Sequence, residues 1–139
     1  MKPQIALVTL LTDSMDAMLS FYQDVLGFPV KTEMEQYVEF ECPGSRFAIC
    51  DRSIMVSATG REEYNTQPEG HAFELAFPAE SPEQVDALYS AMIEKGATGI
   101  KAPGDMPRGQ RTGFFADPDG NIHEIFAELP QTEDQNSLQ

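Results

Sequence analysis

Two eight-residue stretches, MDAMLSFY (15–22) and VDALYSAM (85–92), carry Asp, Ala and Ser at matching positions. They also keep the apolar class at Met15/Val85 and Met18/Leu88, at an offset of 70 residues in a chain of 139. Each lies in a window with helical spacing. In 13–27 the apolar positions are Met15, Met18, Leu19, Tyr22, Val25 and Leu26, with Gly27 as the stop. In 81–96 Ser81 is the expected cap, Pro82 opens the helix, Val85, Leu88, Tyr89, Met92 and Ile93 form the stripe, and Gly96 ends it. A β-like run precedes each window, IALVTLL (5–11) and HAFELAF (71–77). Short β-rich runs follow: YVEFEC (37–42) and RFAICD (46–51) in the first half, RTGFFA (111–116) and IHEIFAEL (122–129) in the second. A further strand is expected near Val30–Glu33 or Ser53–Ser57. Both halves thus read as strand, helix and a meander of about three strands, and a repeat this short needs its neighbour to cover its sheet.

The organisation that follows is a first module over 1–58, a polar linker over 59–70 (TGREEYNTQPEG), a second module over 71–129 and a tail over 130–139. The tail, PQTEDQNSLQ, has almost nothing to bury and reads as loosely packed or disordered. A hydrophobic content of 41% is sufficient for a small core. The balance of 9 basic and 23 acidic residues gives a net charge of −14, a field that repels nucleic-acid phosphates and anionic membranes. No apolar run reaches the roughly 20 residues that cross a bilayer. The opening MKPQIALVTLLTDSMD meets Asp13 where a signal peptide would have small residues, so it reads as a first strand. Two cysteines, Cys42 and Cys50, are too few for a disulfide scaffold and fit a reducing cytoplasm.

A repeated βαβββ unit, with FYQDVLGF closing the first helix and DPDGN followed by IHE and IF closing the second module, resembles the vicinal oxygen chelate superfamily. That group includes glyoxalase I, extradiol dioxygenases, fosfomycin-resistance enzymes and bleomycin-resistance proteins. The resemblance covers about residues 4 to 129. It implies an α+β fold of two modules whose curved mixed sheets enclose a small-molecule pocket, with modules pairing within or between chains, and a homodimer as the expected assembly. It also implies that a divalent ion, where relatives have one, is held near the middle of the first and last strands of each module. The matching positions here are Glu74 and Glu124 in the second module. In the first they fall near Leu7, within a residue or two, and near Ala48 or Cys50. Of these, Leu7 and Val8 cannot bind a metal, Thr9 is a weak ligand, and Cys50 alone could coordinate. Two carboxylates without imidazole suit zinc, nickel or iron poorly, whereas Mg²⁺ or Mn²⁺ with several waters is compatible. No transition-metal site is therefore expected, and the cofactor stays open, with a weakly held divalent cation as the alternative.

Strand alternation divides each run into two faces. In 71–77 His71, Phe73, Leu75 and Phe77 should pack beneath the helices, leaving Ala72, Glu74 and Ala76 on the other side. In 122–129 the core set is His123, Ile125, Ala127 and Leu129. The opposite set is Ile122, Glu124, Phe126 and Glu128, which frames one carboxylate with apolar side chains. The turn before it, Asp117–Gly120, is explained locally by Pro118 and Gly120. His71 and His123 read as strand histidines with local hydrogen bonds. Arg108 and Arg111 are scarce cations that could hold an anionic group at a pocket mouth or pair with surface acids. The candidate site is therefore Glu124 as general base, with Glu74, Tyr37, Phe114, Phe126 and Arg111 as substrate-binding residues. Two functions fit these residues: a lyase or isomerase of glyoxalase type, in which Glu124 takes a proton next to a carbonyl, and a metal-free protein that sequesters a drug or metabolite without catalysis.

Overall fold

The computed structural model describes residues 1–131. The chain divides into two compact units, one of residues Met1–Gly70 and one beginning at His71. In the first, strand β1 (Leu7–Thr12) leads into helix α1 (Met15–Ser20), followed by β2 (Val30–Met34), β3 (Tyr37–Phe40), β4 (Arg46–Asp51) and helix α2 (Arg52–Thr59). In the second, β5 (Ala76–Pro78) leads into helix α3 (Pro82–Glu94), then β6 (Thr98–Met106), β7 (Gln110–Ala116) and β8 (Ile122–Glu128). The strand orders are β1-β4-β3-β2 and β5-β8-β7-β6. In both, the first strand lies parallel to the last and the remaining pairs are antiparallel. The duplication read from the two helices is thus a duplication of topology. The fold is α+β, two mixed four-stranded sheets in two βαβββ units.

Helix α1 gives way to one π-helical turn over Phe21–Val25, where Leu26 N–H donates to the Phe21 carbonyl at 3.0 Å. The wider turn brings Phe21 inward beside Tyr22, so both are buried although only Tyr22 lies on the predicted stripe. Tyr22 then packs on Phe40 and Phe47, which stack at 5.6 Å, with Phe28 alongside. Gly27 turns the chain with φ 86°. In the second unit Ser81 caps α3 as its sequence foretells, accepting from Gln84 N–H at 3.1 Å, with Pro82 in the first turn. Val85, Tyr89 and Met92 are buried against the sheet, whereas Leu88 and Ile93 reach solvent.

Three expectations change. Of the two places offered for a further strand, Val30–Met34 is one, whereas residues 53–57 are helical, because Asp51 accepts from Ser53 N–H at 2.9 Å as the cap of α2 and Gly60 ends the helix in a left-handed conformation. The run 71–77 is a strand only from Ala76. Ahead of it, the Leu75 N–H donates to the His123 imidazole at 3.1 Å, so a side chain takes the place of a ladder bond and Phe73 stays 57% exposed. Strand β6 is the third strand of the second meander, which the sequence reading did not place, and it contains Gly99, Pro103 and Gly104. The ladder tolerates them through register shifts between Gly99 and Lys101 and between Lys101 and Gly104. The tail expected over 130–139 lies, from residue 132 on, outside the described residues.

Candidate functional site

The second sheet has one face under α3 and one that, among the described residues of this unit, carries no helix. Tyr89 of α3 lies over Gly113, where an added Cβ would come within 2.9 Å of its ring, and its hydroxyl donates to the Phe114 carbonyl at 2.9 Å. Gly113 pairs with Ile125, and Phe115 with His123, so these residues define the helix-covered face. His123, Ile125 and Ala127 are buried there, as the alternation of β8 predicts.

Glu124 is on the other face. Phe114 of β7 stands directly opposite it on one side and Ala76 of β5 on the other, while Ile122 and Phe126 flank it along β8. Lys101 of β6 pairs with Phe114, so one row crosses the sheet as Ala76, Glu124, Phe114 and Lys101. Glu124, Phe114, Ile122 and Phe126 are all half-buried. Among the described residues the Glu124 carboxylate has no hydrogen-bond or ion-pair partner. Burial pushes its carboxyl above the usual glutamate value, and the nearby Glu74 carboxylate pushes it further the same way. Glu74 acts on Glu124 from an exposed position in the segment that precedes β5.

Local chemistry fixes this register. The buried Asp117 accepts from the N–H groups of Asp119 and Asn121, both at 3.0 Å, and from the Asn121 amide at 2.8 Å. Gly120 closes the turn with φ 84°. The backbone N–H of Glu124 donates to the Leu75 carbonyl at 3.0 Å, and His123 holds the Leu75 N–H, so two consecutive residues of β8 clamp the segment carrying Glu74.

The remaining candidates lie elsewhere. Arg111 pairs with Ala127, a member of the helix-covered set, and its guanidinium meets Asp86 of α3 and Asp105 of β6, each at 3.0 Å. It is an ion-pair residue on the side away from Glu124. Tyr37 belongs to the first unit, where it pairs with Cys50 and donates to Glu39 at 3.4 Å. Glu39 is buried on the helix-free face of that sheet, bound by the Arg46 guanidinium at 2.6 and 3.1 Å with Lys31 at 3.7 Å. The Arg46 hydrogen bonds hold its carboxyl below the usual range. Burial, and next Glu39, pushes the Tyr37 phenol up. On the same face of the corresponding parallel ladder of the first unit, Thr9 pairs with Ala48 and Leu11 with Cys50.

This donor set does not fit a transition-metal centre. Among the described residues the carboxylates of Glu74 and Glu124 are joined by no imidazole or thiolate of their unit. Among the described residues no group of three or more His, Cys, Asp or Glu side chains is placed to hold a metal ion. The sequence reading missed Lys101, because the strand that carries it was not recognised.

Residues 4–125 match the profile of the glyoxalase/bleomycin resistance protein/dioxygenase superfamily. A glyoxalase/bleomycin resistance protein/dioxygenase from Nocardioides is 28% identical, with 95% of this chain and 87% of that one covered at a TM-score of 0.83. A family enzyme from Burkholderia phytofirmans PsJN is 25% identical over 91% and 99% of the two chains, at 0.82. A lactoylglutathione lyase from Agrobacterium tumefaciens shares the fold at 23% identity and a TM-score of 0.67, over 91% and 95%. No curated protein matches the chain. A profile spanning nearly all of the described residues, on two units with this duplicated topology, identifies the chain as a member of the glyoxalase/bleomycin resistance protein/dioxygenase superfamily.

Proposed function

We propose that the helix-free face of the second sheet binds a small carbonyl compound and that Glu124 moves a proton between adjacent carbons of it, as a lyase or isomerase of glyoxalase type. One observation carries the reading: Glu124 is a carboxylate without an ionic partner, set between Phe114, Ile122 and Phe126, with its proton affinity raised by burial and by Glu74. A general base works best when its pKa approaches the operating pH, and this environment shifts Glu124 in that direction. The carboxylate takes a proton from the carbon beside the carbonyl, the C–H pair becomes the enolate double bond, and the carbonyl π electrons move to oxygen. In a 2-hydroxycarbonyl substrate the hydroxyl proton then passes to that oxygen, the electrons left on the hydroxyl oxygen form the new carbonyl, and the C=C pair takes the proton back from Glu124 at the neighbouring carbon. Lys101, at the far end of the row, is the cation available to the oxygen that becomes negative. Phe114 and Phe126 supply flat apolar walls for the body of the substrate.

The test is deuterium exchange in D₂O, read by proton NMR, on a panel of 2-hydroxycarbonyl compounds and aldehyde–thiol adducts. At least one compound is expected to exchange its α-proton with the native protein, and Glu124→Gln is expected to slow that exchange at least 100-fold. Exchange that survives Glu124→Gln overturns the proposal. A second reading, sequestration without turnover, is supported by the poor fit of the donor set to a metal. Under that reading, members of the panel bind, with Phe114→Ala weakening them, and no α-proton exchanges.

A further inference from the structure

A cavity lies in the first unit, on the helix-covered side of its sheet. It measures about 370 Å³ and opens between α1 and the β2–β3 hairpin. Met15 and Leu19 of α1, Val38 of β3 and Met34 of β2 make its apolar lining. Val38 is fully buried, Met15 and Leu19 are half-buried, and Met34 is 58% exposed at the mouth. Three acids complete the wall: Asp16 on α1 and Glu33 and Glu35 at the hairpin. None of their side chains makes a hydrogen bond or ion pair among the described residues. Lys31, the nearest base along the chain, is engaged with Glu39 instead.

The combination is specific. The lining is mixed, apolar side chains within and carboxylates at the mouth, and an open cleft of this size admits a small amphipathic ligand. Methionine thioethers are flexible and polarisable, so they adapt to ligands of varied shape. Three unneutralised carboxylates around the opening, in a chain of net charge −14, favour a cation and disfavour an anion. We propose that this cleft is a binding site for a small lipophilic organic cation, its alkyl or aryl body against Met15, Leu19 and Val38 and its charged head between Asp16, Glu33 and Glu35. It is separate from the Glu124 face and does not depend on the reaction proposed there.

The experiment is an NMR titration of the full chain labelled at the methionine methyls, with hexyltrimethylammonium as probe and 1-hexanol as its neutral counterpart. Of the seven methionines, Met15 and Met34 are expected to shift saturably with the cation. The alcohol should bind at least tenfold more weakly, and rising salt should weaken the cation. The double variant Glu33→Gln/Glu35→Gln should lose at least fivefold in affinity while keeping its melting temperature, whereas Glu124→Gln should bind the probe like the native chain. Equal binding of cation and alcohol, shifts spread over all seven methyls, or unchanged affinity in the double variant would each overturn the site. So would loss of binding in Glu124→Gln.

Discussion

Two glutamates on the helix-free faces of equivalent sheets have opposite fates. Glu39 is buried and tied to Arg46, Lys31 and Tyr37, while Glu124 is half-buried with no ionic partner. The difference predicts how stability follows pH. A carboxyl whose pKa is raised by folding binds more protons in the native state, so it stabilises the fold at low pH and costs stability as pH rises through its raised pKa. Glu124→Gln is therefore expected to raise the melting temperature slightly at pH 7, by roughly 1–2 °C after allowance for solvent screening. The gain should vanish below the ordinary glutamate value, which thermal melts across pH 4 to 8 would show. An unchanged or lower melting temperature at pH 7 would mean that Glu124 is not a strained acid. At this scale the sequence was informative where alternation was strict. In β8 the residues 122, 124 and 126 fall on one face and 123, 125 and 127 on the other, as read. Arg111 was legible in principle as well. It is three residues from Phe114 in one strand, an odd separation that sets the two side chains on opposite faces.

Among the elements, those with explicit start and stop chemistry were readable, and those held by tertiary contacts were not. Helix α3 has its Ser cap, its proline and its glycine stop in the sequence. Helix α2 has the same kind of signal, Asp51 before it and Gly60 after it, but its β-branched Ile54 and Val56 also suit a strand. Strand β5 is short because His123, forty-eight residues away, takes the Leu75 N–H, and no local pattern announces that bond. Strand β6 survives two register shifts because β7 pairs with it on both sides of them. The packing of α3 on β7 gives a prediction. Gly113→Ala would put a methyl 2.9 Å from the Tyr89 ring and 3.1 Å from Pro103, and the overpacking should cost about 1–3 kcal/mol in urea unfolding. Gly104→Ala, whose nearest contact would be the Met106 methyl at 3.9 Å, is the matched control and should cost less.

For the whole molecule, the duplication was the most legible property, because a helix with matched flanking strands appears twice. The matching strand orders, β1-β4-β3-β2 and β5-β8-β7-β6, give it physical form. What the repeat could not reveal is how each acid is held, since that depends on partners from the neighbouring strand, Arg46 beside Glu39 and Phe114 beside Glu124, rather than on the pattern the copies share. Charge also acts at this scale. Twenty-three acids against nine bases repel one another in the folded state. Raising sodium chloride from about 0.02 M to about 0.5 M shortens the screening length from roughly 20 Å to roughly 4 Å and should lift the melting temperature by a few degrees. A fall would mean that the ion pairs around Glu39 and Arg111 outweigh the repulsion. The retirement of one acid into an arginine clamp has a practical consequence for anyone redirecting this scaffold by laboratory evolution. If the proposed function holds, libraries at Ala76, Phe114, Ile122 and Phe126 reshape selectivity, whereas randomising Glu39 and Arg46 chiefly discards folded clones.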